Sequence, residues 1–222
     1  MKKIFVCAAM AMVFALNGRA QEVKDSVPAI PSEMSMMQVA GQLVKYGYEK
    51  GEALPIIQAV EIYQNLGGKS LQAPKAEEVG TQVVSGEKDS RVSFDINQLL
   101  ADATELADGN ANLIGLIDGL KNSATRGATT NYDIHVDRVK AHSTDVYNVR
   151  FYGGETAVVV VSGDGDTDLD LYIYNSNGRL VASDTDYTDD CVCSWVPSYT
   201  STYTIKIVNR GPVYNQYRMA IN

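Results

Sequence analysis

Apolar residues in this 222-residue chain keep one spacing up to about Ser123 and another from Tyr132 onward. No single type of secondary structure accommodates both. In the first half, Met37, Ala40, Leu43 and Val44 recur at the three-and-four interval that lines one side of a helix. A second helix is predicted over Glu52 to Leu66, where Ile56, Ile57, Val60 and Tyr63 form the stripe. Pro55 is tolerated in its first turn and Gly67-Gly68 ends it. Asp95 is a predicted N-cap for Ile96 to Ala107, with Ile96, Leu99, Leu100, Ala103 and Leu106 inward. Asn110 caps a fourth helix carrying Leu113, Ile114, Ile117 and Leu120. Four such helices bury one another's stripes, so residues 34–123 are predicted to form a small helical bundle. The polar stretch 67–94, punctuated by Pro74, Gly80 and Gly86, is too long for an ordinary bundle connection and is predicted to be an excursion.

After Tyr132 the period is two. Ile134 and Val136 alternate with Asp133, His135 and Asp137, Tyr147, Val149 and Phe151 with Asn148 and Arg150, and Leu169, Leu171 and Ile173 continue the alternation. Leu180 and Ala182, Val192 to Val196, the run Tyr203, Ile205, Ile207, and finally Tyr217, Met219 and Ile221 follow the same rule. Ala157 to Val161 is apolar on both faces, as expected of a central strand. Turn signals at Gly153-Gly154, Gly163, Asn177-Gly178, Pro197-Ser198 and Gly211-Pro212 separate about eight short strands. The predicted fold class is therefore α+β with separate domains: a helical domain (34–123), a small polar linker (124–131) and an antiparallel β-sandwich (132–222). Roughly 90 residues suffice for a real core in that form.

The first twenty residues have the pattern of an export signal: Lys2 and Lys3, an apolar run of 13 residues from Ile4 to Leu16, then Gly18-Arg19-Ala20. That run is shorter than the ~20 residues of a spanning helix. Residues 21–33 are a loose mature N-terminus. The chain is expected to be exported, to the periplasm or the cell exterior, with no membrane span. Loss of the leader takes the formal charge from −8 to about −11, which argues against nucleic acid because phosphate binding needs clustered Lys and Arg. Cys191 and Cys193 remain; residues two apart on a strand sit at the far limit of disulfide reach, so buried free thiols are expected.

Acidic charge concentrates between Asp164 and Asp190, where eight aspartates meet one base, Arg179, for a net −7. A strand over 169–174, a turn at Asn175 to Gly178 and a returning strand over 179–183 carry loops 164–168 and 184–190 to one edge. Calcium takes about six to eight oxygens from pliable loops of this kind. Asp168, Asp170, Asp184 and Asp186 are the leading candidate ligands, followed by Asp164 and Asp166. The competing reading is a solvated acidic rim, since two carboxylates about 4 Å apart repel by only ~1 kcal/mol in water, against ~4 kcal/mol at an effective dielectric near 20. An EF-hand is excluded: counting from Asp164, Leu169 stands where glycine belongs and Asn175 where glutamate belongs.

Enzyme signatures are missing. There is no HExxH, GxSxG or phosphate loop, and Asp-Thr-Asp at 166–168 and 184–186 lacks the glycine of an aspartic protease. A Cys191/His135 dyad is the one nucleophilic pairing open to the sequence, set against packing roles for strand cysteines. Outward Tyr172 and Tyr174 suggest a platform for sugars or extended peptide, although tyrosine also simply suits half-buried strands.

Three segments, DVYNVRFYGGETAVVVVSG (145–163), DTDLDLYIYNSNGRLVASD (166–184) and STYTIKIVNRG (201–211), occur in the order found in the bacterial pre-peptidase C-terminal domain, and residues 132–222 resemble that family. The resemblance implies a jelly-roll-like sandwich, calcium binding, and a role in substrate attachment or secretion. Two departures stand out. The module normally follows a catalytic domain, whereas here a helical region of no assigned family precedes it, and Ser201 replaces the glycine of the closing G-x-Y motif. The expectation is an exported, non-enzymatic protein whose calcium-binding sandwich presents a surface to protein or polysaccharide. The alternatives are a metal-free interaction module whose helical half docks a partner, and an unrecognised hydrolase.

Overall fold

A computed structural model describes residues 27–80, 92–123 and 132–222. The predicted leader, the first part of the loose N-terminus and the linker 124–131 lie outside the described residues.

The helices form where the apolar spacing places them: α1 (Ser32–Lys50), α2 (Ala53–Leu66), α3 (Ile96–Leu106) and α4 (Ala111–Ser123). Asp95 caps α3 by accepting from Gln98 N at 2.9 Å. Asn110 Oδ1 likewise accepts from Asn112 N at 3.0 Å at the start of α4. Such caps satisfy amide groups that a helix start leaves open. Met37, Ala40, Val44, Ile56, Val60, Leu99, Ala103 and Ile117 are fully buried.

Among the described residues, ten strands make two five-stranded sheets. Sheet A has the order β1 (Lys69–Ser70), β3 (Asp133–Val139), β10 (Asn215–Ile221), β5 (Ala157–Gly163) and β8 (Asp190–Trp195). Sheet B has the order β2 (Lys75–Glu78), β4 (Thr144–Phe151), β9 (Ser201–Asn209), β6 (Leu169–Tyr174) and β7 (Leu180–Asp184). Every pairing is antiparallel except β1 with β3. The inner faces enclose one core that includes Tyr147, Phe151, Val159, Val161, Leu171, Cys193, Trp195, Ile205 and Met219. Phe151, Trp195 and Tyr203 close one end with edge-on ring contacts, Phe151 to Trp195 at 4.8 Å between centroids.

Two findings enlarge the picture drawn from periodicity. Part of the expected excursion is sheet: β1 and β2, both from the connection after α2, add one edge strand to each sheet. Their polar sequences, Lys-Ser and Lys-Ala-Glu-Glu, suit exposed edges and carry no apolar alternation. Second, the helices lie against the outer face of sheet A. Val158 and Val160 of β5 and Ala220 of β10 share a core with Met37, Val44, Ile56, Val60 and Tyr63. The molecule thus has three layers, with sheet A in the middle. Gly41 sets the closeness of α1 to β5, since a Cβ there would meet Ser162 Oγ at 2.0 Å.

Candidate functional site

The hairpin β6–β7 turns through Asn175 to Gly178, where Asn175 Oδ1 accepts from Asn177 N and Arg179 N at 3.0 Å each. As expected, loops 164–168 and 184–190 meet at one end. The strongly local charge is answered by bases from elsewhere in the chain. Lys45, on α1, reaches over the end of sheet A to Asp189 Oδ1 at 3.0 Å and Asp190 Oδ2 at 2.9 Å. Arg210, in the loop after β9, donates through Nε to Asp170 Oδ2 at 2.5 Å, and its Nη2 also pairs with that carboxylate. Neither partner is legible from local sequence, because both arrive through tertiary packing.

Each aspartate has its own task. Asp164, 2% exposed, accepts from Gln216 N at 2.6 Å and from Asp166 N at 3.3 Å, tying its loop to β10. Asp184 Oδ2 accepts from Val192 N at 2.8 Å and so joins the outer strands of the two sheets. Asp186 Oδ1 accepts from Thr188 N at 2.9 Å and organises its own turn. Asp189 Oδ2 accepts from Gly165 N at 2.5 Å, and Gly163 makes room for it: a Cβ there would lie 2.4 Å from that oxygen. Asp168 differs. Its Oδ1 is buried and finds no hydrogen-bond partner. Burial, then the charge of Asp170, push its carboxyl above the ordinary value, and Asp186 and Asp189 add to the effect.

The six candidate ligands therefore share one rim but not one coordination sphere. Among the described residues no three His, Cys, Asp or Glu side chains form a group able to hold a metal. Carboxylate oxygens of Asp164, Asp170 and Asp184 are already taken by backbone amides or Arg210.

Adjoining the rim at Asp170, Tyr172 and Tyr174 stand on the outer face of sheet B. Their rings are near-parallel, 25° between planes and 6.4 Å between centroids. Register places Val146, Lys206, Tyr172 and Ser183 in one row across β4, β9, β6 and β7, and Asn148, Thr204, Tyr174 and Leu180 in the next. Tyr172 Oη donates to Asp170 Oδ2 at 3.1 Å and accepts from Arg210 Nη2 at 3.0 Å. Lys206 sits 6.0 Å from the Tyr174 ring centroid and pairs with Glu78 at 2.7 Å. Leu180 and Val181 are exposed at its border. No helix among the described residues covers this face.

A buried polar network escaped the sequence reading. Asp145, 1% exposed, faces the sandwich interior, where its Oδ2 accepts from Tyr217 Oη at 2.7 Å and Lys75 Nζ at 3.3 Å. Tyr147 and Tyr217 share a short hydrogen bond. Lys75 also reaches Asp137 at 3.0 Å, and His135 Nε2 lies 3.3 Å from the same carboxylate. Burial raises the Asp145 carboxyl above its usual value despite the Tyr217 hydrogen bond and Lys75. The signal was Asp145 at an inward position, in alternation with Tyr147.

Chemistry at the cysteines is disfavoured. Both thiols are buried and free. Burial pushes Cys193 up to about 12 and Cys191 higher still, the reverse of what a thiolate nucleophile needs. His135 and Cys191 occupy the same cross-strand row, via Met219 and Val161, but at three strand spacings. At ~4.8 Å each that is about 14 Å, so the dyad does not form.

The whole defines a β-sandwich clad in helices on one face and open on the other. No family model matches the sequence, and no curated protein matches it. Similar solved structures include PliG of Aeromonas hydrophila, a periplasmic inhibitor of g-type lysozyme, at 10% identity and TM-score 0.35, covering 42% of this chain and 87% of that one. Another is the pre-peptidase C-terminal domain of a Bacillus anthracis collagenase, at 10% identity and TM-score 0.32, covering 40% and 88%. Salmonella Typhimurium PliG follows at 16% identity and TM-score 0.28, covering 41% and 90%. No described helix is long and apolar enough to cross a membrane.

Proposed function

We propose that this chain is an exported, non-enzymatic binding protein that docks a protein partner on the outer face of sheet B. One observation carries the reading: the sandwich is asymmetric, with sheet A covered by α1 and α2 and sheet B presenting the parallel pair Tyr172 and Tyr174. Around the pair stand Lys206, Arg210, Glu78 and Asp170, with Leu180 and Val181 at the border. Tyrosine and arginine at the centre with charged groups around them is the composition of protein interfaces. The test uses bait protein and cross-linking mass spectrometry, with Tyr172→Ala/Tyr174→Ala beside a control substitution on α4. A partner that cross-links to β6 and β9 and is lost only with the tyrosine pair supports the reading. Binding on a glycan array instead, with the same tyrosine dependence, assigns the face to polysaccharide.

A cation at the acidic rim is a second reading. It is favoured by Asp168 Oδ1, buried without a hydrogen-bond partner beside Asp170 and Asp186. It would require loops 164–168 and 184–190 to rearrange around the ion. A melting temperature that is equal in calcium and in chelator refutes it.

A further inference from the structure

We propose that the cavity between the helical layer and sheet A binds a small carboxylate with an apolar body, its anionic head paired with Arg218. The cavity measures about 760 Å³; one side is apolar, with Ile96 of α3, Leu120 of α4 and Ile134 and Val136 of β3 beside Tyr63 and Arg218, and the other is polar, from the end of α2 through β1, with Glu61 and Lys69. That volume lies in the ordinary range for small-ligand sites, about 300–1,000 Å³.

Arg218 is 6% exposed and points away from the sandwich interior, flanked in register by Val136 and Ser162. The Tyr63 ring covers its guanidinium at 4.2 Å. Nη1 donates to Phe94 O at 3.3 Å, and Nε finds no hydrogen-bond partner. Tyr63 Oη, also buried, finds none either. The half-buried Lys45 and Lys75 are treated differently: each contacts at least two carboxylates. Arg218 makes no ion pair among the described residues; burial lowers its pKa from the ordinary value, against the smaller opposing effects of Tyr63 and Asp95.

A desolvated guanidinium is retained where something negative compensates it. The aromatic face supplies part of that compensation but accepts no hydrogen bond along the edge of the fork. A carboxylate matches that planar edge with two parallel bonds. Arg218 is the buried cation of the lining, and one buried guanidinium suits a monoanion. Exposed Glu61 and Lys69, both in the lining, offset one another and leave Arg218 to set the charge preference. The walls of Ile96, Leu120, Ile134 and Val136 select an apolar body. This site is independent of the sheet B face.

Calorimetric titration of the full chain with octanoate, 1-octanol and inorganic phosphate tests the proposal. Octanoate is expected to bind saturably, at least tenfold tighter than octanol, with no heat from phosphate. Arg218→Met should remove octanoate's advantage while leaving octanol binding. Should that variant fail to fold, Val136→Phe fills the cavity with Arg218 in place and should abolish octanoate binding. Absence of saturable octanoate binding, equal affinity for octanoate and octanol, or wild-type octanoate binding in either variant overturns it.

Discussion

Replacing Lys45 by methionine removes the ammonium that α1 delivers to the acidic rim while keeping most of the side chain's packing volume. Its Nζ contacts Asp189 at 3.0 Å and Asp190 at 2.9 Å. At an effective dielectric near 20 each contact is worth about 5 kcal/mol of gross Coulomb energy. Desolvating the ammonium and both carboxylates offsets most of that. The Lys45 side chain is 22% exposed and those of the aspartates 8% and 15%, so screening takes a further part. What remains is about 2–3 kcal/mol, because the variant leaves two adjacent, largely buried carboxylates without their cation. Urea unfolding followed by circular dichroism at pH 7 should show that loss with an unchanged slope, and melting should fall by about 5–10 °C. The pH dependence adds a second reading. Burial alone would lower the Lys45 pKa, but Asp189 and Asp190 outweigh it and raise it above 10.5. The stabilisation is therefore complete below the unfolded value and lost as pH rises through the folded one, so the gap between wild type and variant stays flat to about pH 10 and closes above it. A loss below about 0.5 kcal/mol would return the rim to a solvated surface and refute the reasoning.

Gly41→Val should cost about 1–3 kcal/mol by forcing α1 off β5, since even a Cβ meets Ser162 Oγ at 2.0 Å; the loss should be reduced by Ser162→Gly, measured by the same unfolding. Asp145→Asn mimics the protonated carboxyl that burial favours. The folded-state pKa is raised, so wild-type stability relative to the variant should decline as pH climbs above about 4, read from parallel melts. Residues 132–222 expressed alone bare Val158, Val160 and Ala220 and lose both added edge strands, and should self-associate in size-exclusion chromatography where the full chain does not.

Much of this architecture was legible. Helix ends followed from Asp95, Asn110 and Gly67, and the sandwich strands from strict alternation and glycine turns. The third layer was written into Ala157 to Val161 as well: a strand apolar on both faces needs cover on both, and a two-layer sandwich leaves one face wet. Arg218 hid this on β10, because a charged residue in an alternating strand reads as solvent-facing. The meeting of the acidic loops followed from the hairpin, but not the arrival of Lys45 and Arg210, which lie far from it along the chain. Short-range patterns carry backbone geometry well. Which distant side chain ends beside which depends on how layers pack, and β1 and β2 had no apolar pattern to announce them.

The placement of β10 governs how sheet A comes together. It lies between β3 and β5, so the pair β1–β3 and the pair β5–β8 join only through it, although it is the last described strand to be synthesised. Until it docks, the helices have only a split platform to rest on, and two unpaired edges face each other across a strand-wide gap. Such long-range closure makes for slow folding and a window open to misassembly. Losing Asn215–Ile221 would therefore split the middle layer rather than fray its margin.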